Sequence, residues 1–219
     1  MAARFDTFGS REEWLEHRKE GLGGSDIAAV IGANPWMTNT ELWEYKTGRQ
    51  QQADISEKPF VQYGHDAEEH IRGLFALDHP ELVIHYHDWN SWTNDRFPWA
   101  VASLDGWTTD AENRRTGVLE IKTTEILRSG DWEKWEGVIP QQYFCQVLFY
   151  MAVIEADFAD LRAAIKYTAK EGDKRITIRD YHIERGEVEA DIDYLMEQGA
   201  KFWDQVKSGK RPALLLPEI

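Results

Sequence analysis

Helical spacing opens the chain. Arg11 to Lys19 has the pattern of a short helix, with Ser10 as N-cap and Glu13 completing a capping box. A glycine-rich bend, Gly21-Leu-Gly-Gly-Ser25-Asp26, then enters the apolar segment Ile27 to Ile31. Ser25 is the expected N-cap there, and Gly32 sits where a helix stops. Thr40 to Thr47 is a further helix between Pro35 and Gly48, and residues 49 to 59 are polar and loop-like. Ala67, Ile71, Leu74 and Phe75 mark a helix over Tyr63 to Leu77. After Pro80 the period shortens to two. Leu82 to His87, Trp99 to Asp105 and Gly117 to Thr123 are expected strands, the second ending in a turn at Gly106. Pro140 to Glu155 is apolar and helical, with Pro140 suited to a first-turn position. Leu161 to Thr168 and Arg175 to Ile183 pair as a hairpin around Gly172-Asp173, and Glu187 to Val206 is a long amphipathic helix.

Strands in the middle and helices on either side predict an α/β domain with a central mixed β-sheet flanked by helices. The 219 residues suit one domain. Its parts are a helical region at about 10–60, a core at about 61–185 and a C-terminal helix at about 186–208. No internal repeat or low-complexity tract interrupts it.

Composition narrows the chemistry. Hydrophobic residues make up 42% and charged residues 29%, an ordinary globular balance. The single cysteine, Cys145, excludes an internal disulfide framework and a four-cysteine zinc or iron–sulfur site within one chain, and fits a reducing cytoplasm. No apolar run approaches the roughly 20 residues of a membrane helix. Met1-Ala-Ala-Arg-Phe-Asp6 lacks a signal-peptide pattern. Against 39 acidic residues stand 25 Lys and Arg, a formal charge of −14. That argues against coating nucleic acid by bulk electrostatics. It leaves open an enzyme that touches a few phosphates and carries divalent metal. The local cationic clusters Arg18-Lys19, Arg114-Arg115 and Lys170 to Arg179 also read as solvated surface.

The informative region is Ser103-Leu-Asp105-Gly106 followed by Glu120-Ile121-Lys122. Side chains alternate along a strand, so Glu120 and Lys122 share a face and Ile121 points to the other. Two strands joined by a loop bring Asp105 beside Glu120. Two carboxylates there repel unless a cation sits between them, and carboxylate oxygens with waters are what magnesium prefers. A metal-bound water, deprotonated, is a nucleophile. Lys122, with a lowered pKa, would orient it and help to take its proton. The same spacing also describes an exposed cross-strand ion pair.

Several motifs occur in a fixed order around this site. Trp14-x-x-x-Arg18 precedes Gly23-Gly24-Ser25-Asp26 and Asn34-Pro35-Trp36; Tyr63-Gly64-x-x-x-Glu68 runs on to Phe75; Ser103-Leu-Asp105-Gly106, Leu119-Glu-Ile-Lys122 and Gln146-x-x-x-Tyr150 follow. This ordered set, over about residues 10 to 155, resembles the lambda exonuclease and YqaJ-like viral recombinase family. These are phage-type alkaline exonucleases of the PD-(D/E)xK nuclease superfamily, with a restriction-endonuclease-like core. Leu104 stands where the superfamily's namesake proline occurs, at a position that is not a ligand. The resemblance implies Asp105, Glu120 and the Ile121 backbone carbonyl as metal ligands, Lys122 as the catalytic lysine, and Glu68 as an extra acid for a second metal or its water. It implies Gln146, with Tyr150 one turn on, as support for the site, and Arg18 and Ser25 as a pocket for a DNA 5′-phosphate. Arginine grips phosphate in a bidentate way, and Ser25 is expected at a helix N-terminus.

The function implied is a Mg2+-dependent exonuclease, with Mn2+ as a possible substitute and two ions per site. It would digest one strand of double-stranded DNA from its 5′ end to mononucleotides and leave 3′ overhangs. Family members form homotrimeric rings and work with a single-strand annealing protein in phage recombination, which implies a bacterial cytoplasm as the location. Alternatives are a structure- or site-specific endonuclease of the same superfamily and a catalytically silent module that binds DNA ends.

Other signals are weaker. His85 and His87 share a strand face but lack a third zinc ligand at motif spacing. The turn at 21–24 lacks the Gly-Lys-Ser/Thr of a P-loop. Most of the ten tryptophans read as core, with Trp36 and Trp43 as candidates for stacking on unpaired bases and Met37 and Leu42 as a candidate wedge.

Overall fold

The computed structural model describes residues 3–169 and 172–216. Its frame is a five-stranded sheet. The strands are β2 (Leu82–His85), β5 (Gly106–Asp110), β6 (Arg115–Ile126), β7 (Phe158–Thr168) and β8 (Lys174–Glu184), adjacent in the order named. β6 and β7 run parallel and every other neighbouring pair is antiparallel, so the sheet is mixed as expected. A parallel pair needs a crossover. Helix α5 (Gln141–Ile154) supplies it and buries an almost unbroken apolar run from Cys145 to Ile154. A second sheet joins β1 (Ala3–Thr7), β3 (Asn90–Asn94) and β4 (Val101–Ala102).

Alternation along β6 divides its side chains between two layers. Leu119 and Ile121 pack with Ile71 and Phe75 of α4 (Pro59–Asp78) on one face. Val118 joins the larger core under α5 on the other. Three short helices, α1 (Arg11–Arg18), α2 (Gly24–Val30) and α3 (Asn39–Lys46), precede this unit. The last helix, α6 (Arg185–Ser208), seats Ile192, Leu195 and Met196 in the larger core. Arg162 on β7 ties Asp78 at the end of α4 to Asp180 on β8, at 2.8 and 2.7 Å. Among the described residues no helix is long and apolar enough to cross a membrane.

The departures from expectation are local. Residues 99–105 form only the two-residue β4, and Gly106 opens β5 instead of making a turn. The reason lies at Leu104, whose N–H and C=O are taken by the Asn90 side chain, at 2.9 Å each, in place of a strand partner. β1, β3 and β5 lie outside the expected strands because their sequences are largely polar. Gly23, not Ser25, caps α2. The Asp26 carboxylate turns back to the Gly23 N–H at 2.9 Å and starts the helix two residues earlier. Glu13 reaches the Gly9 N–H instead of that of Ser10. Pro140 caps α5 from outside its first turn. The hairpin of β7 and β8 forms, and part of its turn lies outside the described residues.

Phe75 is 1% exposed and is the largest side chain between α4 and the sheet. Phe75→Ala is expected to cost about 3–5 kcal/mol, read as a lower urea midpoint at unchanged m-value.

Candidate active site

The β5–β6 register places Gly106 opposite Leu119, which brings Asp105, just before β5, to Glu120. Because β5 begins only at Gly106, the Asp105 side chain takes over the hydrogen bonding of the missing residue. Its Oδ2 accepts from the Ile121 N–H at 2.9 Å. Arg72 on α4 donates to the Asp105 carbonyl, and its guanidinium lies 3.6 Å from the Tyr86 ring centre.

Glu120 and Lys122 point together towards α5, as strand alternation requires. Glu120 is 1% exposed and forms an ion pair with Lys122. Gln146, buried on α5, donates to Glu120 Oε1 at 2.8 Å and meets the Tyr150 hydroxyl at 3.0 Å. The second oxygen, Glu120 Oε2, is buried with no hydrogen-bond partner. Glu68, one turn before Arg72 on α4, belongs to the same electrostatic cluster. Burial, then Asp105 and Glu120, push its pKa from 4.5 to about 8, against the opposing pull of Lys122 and Arg72. Burial, then Asp105, raise Glu120 from 4.5 to about 8. Lys122 moves opposite to the sequence expectation. Burial pulls its pKa down, but Glu120 and Asp105 together outweigh burial and hold it above the ordinary lysine value. It is a firm ammonium, the counter-ion of the two acids.

The donor set fits a hard divalent cation: three carboxylates in one field, and a buried carboxylate oxygen with no partner. Among the described residues no three His, Cys, Asp or Glu side chains already close into a metal cage. Magnesium commonly takes one or two carboxylates and keeps several waters.

The predicted phosphate residues meet this cluster through Tyr150, one turn beyond Gln146 on α5. A Cβ on Gly24 would lie 2.3 Å from Tyr150 Cε1, so only glycine lets α2 pack this tightly on the Tyr150 ring. Gly24 adjoins Ser25, which is exposed in the first turn of α2. The Arg18 guanidinium is held 4.5 Å from the Trp14 ring centre, close to Gly23, and its charge reaches Tyr150. The structure therefore brings Asp105, Glu120, Lys122, Glu68, Gln146 and Tyr150 into one cluster, with Arg18 and Ser25 at its edge.

Sequence reasoning missed Arg72 and Asn90. Arg72 was visible as the residue four after Glu68 on a shared helix face. Asn90 carried no signal, since only the folded chain places its amide against Leu104. Trp43 and Leu42 are buried and drop out as stacking and wedge candidates, Met37 is partly buried against the core, and Trp36 is 70% exposed. His85 meets Thr109 and His87 meets the Asp88 carbonyl, so the two imidazoles do not converge.

The chain belongs to the YqaJ-like viral recombinase family, whose model matches residues 13–159. It is 30% identical over 217 residues to the uncharacterised YqaJ protein of Bacillus subtilis (strain 168), covering 94% of this chain and 59% of that protein. The chain thus spans about three-fifths of the relative it matches. The fold is similar to an alkaline exonuclease, LHK-Exo, from Laribacter hongkongensis, with a TM-score of 0.63 at 18% identity over 91% of this chain and 96% of that one. The same enzyme in complex with dAMP gives a TM-score of 0.60 at 17% identity, with equal coverage. A phage-related exonuclease from Haemophilus somnus 129PT gives 0.55 at 15% identity over 86% and 96%. The architecture is the restriction-endonuclease-like fold of these enzymes.

Glu120 and Glu68 titrate near 8 in the folded chain and near 4.5 when unfolded. A raised acid stabilises below its unfolded pKa, and that contribution is lost as pH rises through the folded value. In EDTA, the melting temperature is expected to fall between pH 5 and 8. Glu120→Gln, which cannot titrate, is expected to make that fall shallower in scanning calorimetry across the same pH range.

Proposed function

We propose that the chain is a divalent-metal-dependent exonuclease, served by Mg2+ or Mn2+, that digests one strand of double-stranded DNA from its 5′ end. The observation that carries this is the unpartnered Glu120 Oε2, buried beside Asp105 and Lys122. Asp105, Glu120, Glu68 and the Ile121 carbonyl would hold the metal, as two ions in the family pattern. Bound there, a divalent cation supplies Lewis-acid charge and lowers the pKa of a water.

The chain's own residues do the rest. Lys122, fixed as an ammonium, donates to the attacking water or to a phosphate oxygen and steadies the charge that builds during attack. Without a metal, Glu120 and Asp105 hold its proton, and ions bound by those acids would loosen that hold. Gln146 holds the Glu120 carboxylate in one orientation. Arg18, assisted by Ser25, receives the terminal 5′-phosphate. Water attacks the next phosphorus and passes its proton to solvent, the bond to the 3′ oxygen breaks, and that oxygen leaves as a hydroxyl after taking a proton from solvent. The product is a mononucleotide. The shortened strand again ends in a 5′-phosphate, so each cut renews the group that Arg18 grips. The complementary strand is left as a 3′ overhang. The family resemblance extends the proposal to a homotrimeric ring that delivers this overhang to a single-strand annealing protein in phage recombination.

A linear duplex labelled at either end separates this reading from its rivals. Early release of the 5′ label as a mononucleotide, abolished by EDTA, is expected, with a closed circular duplex left intact. Cutting of the circle would indicate an endonuclease, and no hydrolysis a binding module. Lys122→Ala is expected to lose activity by roughly a hundredfold or more at unchanged fold.

The phosphate pocket has its own test. Arg18→Ala is expected to lower digestion of 5′-phosphorylated ends by roughly tenfold, bringing it level with 5′-hydroxyl ends in steady-state assays. Equal rates on the two ends by wild type would remove the pocket.

A further inference from the structure

Trp14 stands between the two halves of the site. Its indole N–H is shared between the Asn90 carbonyl and Ser103 Oγ, each 3.0 Å away. Its ring faces the Arg18 guanidinium, one helical turn further along α1. Asn90 continues the connection by clamping both backbone groups of Leu104, directly before Asp105. Trp89, beside Asn90, is held at φ +52°, in the left-handed region that bulky residues rarely adopt, and its ring packs 5.7 Å from that of Trp14. The chain tolerates a strained backbone at the point that aims Asn90 at the Asp105 segment.

We propose that Trp14 is a positioning residue that couples the grip on a terminal phosphate to divalent-cation binding at Asp105. This rests on the nuclease reading above. A phosphate drawn to Arg18 holds the guanidinium over the indole face. A fixed indole keeps its N–H on Ser103 and Asn90, and these hold Leu104 and Asp105 in the arrangement that faces Glu120. Cation binding acts back along the same contacts, because coupling between two ligands is reciprocal. Direct attraction between phosphate and cation adds to the coupling but does not need Trp14. Trp14→Phe keeps every charge and a smaller ring beneath Arg18 while removing the N–H with its five-membered ring, so it cuts the hydrogen-bonded path to Ser103 and Asn90.

The experiment titrates Ca2+, a probe of oxygen ligands, by calorimetry into the full chain bound to a short duplex ending in a 5′-phosphate or a 5′-hydroxyl. Wild type is expected to bind Ca2+ about tenfold more tightly beside the phosphate, within the usual range of coupling. In Trp14→Phe the ratio is expected to fall to about twofold. Ca2+ affinity beside the 5′-hydroxyl and the circular dichroism spectrum should stay close to wild type. Asn90→Ser, which cuts the same path one contact later, is expected to lower the ratio as well. An undiminished ratio in folded Trp14→Phe, or a wild-type ratio of one, overturns the proposal. Wild type that binds no Ca2+ overturns the nuclease reading together with it.

Discussion

A carboxylate sealed inside the sheet next to another carboxylate is the constraint around which the structure is arranged. Glu120 has lost its hydration and faces the field of Asp105, and both oppose its ionisation. Such a group survives only with compensation. Two donors meet one of its oxygens, the Gln146 amide and the Lys122 ammonium, and nothing meets the other. An apolar side chain would fill the same space at lower cost. On the proposed function the acid is half of an interaction whose other half, a hard divalent cation, would arrive from outside the polypeptide.

That constraint reaches outward through packing. Gln146 holds Glu120 only because α5 is seated, and α5 is seated by the apolar run that fills the space between the sheet and α6. Tyr150 continues from Gln146 to α2, where Gly24 leaves no room for a side chain. On the opposite face, Ile71 and Phe75 fix α4 and with it Glu68 and Arg72. Each acid is thus mounted on a different element, and the cluster exists only in the complete fold. Lys122 shows the consequence. In an otherwise neutral pocket its burial would make it a base, but two acids on its own side of the sheet keep it charged.

The parts of this arrangement that depend on short-range periodicity were legible in the sequence. Alternation across Glu120-Ile121-Lys122 gave the shared face, and the amide in the apolar run from Cys145 to Ile154 stood out as needing a buried partner. Helices with a clear apolar face were found within a few residues. The missed elements are those whose order comes from distant contacts. β5 reads as polar Thr-Thr-Asp, and its order comes from backbone pairing on both edges with β2 and β6, which periodicity does not reveal. The segment from Ser103 to Asp105 reads as strand because it is apolar and β-branched nearby, yet the Asn90 amide claims its backbone. The start of α2 was misjudged because Asp26, not Ser25, supplies the capping carboxylate. Lys122 was misjudged because the sign of its shift depends on how many charges the fold brings close, which spacing does not reveal.

The net charge of −14 then takes on a definite meaning. Charges further away than the Debye length, about 8–10 Å near physiological salt, contribute little to a phosphate entering the site. What the phosphate meets at close range is Arg18, Lys122 and whatever cation Glu120 and Asp105 hold. The surrounding acid repels a duplex that lies across the surface, and the site attracts a phosphate that enters it. For a nuclease, that combination penalises binding along the middle of a duplex and favours its ends. On the proposed function, selectivity for ends would follow from where the few positive groups stand, and retention on the strand would come from shape rather than from bulk attraction.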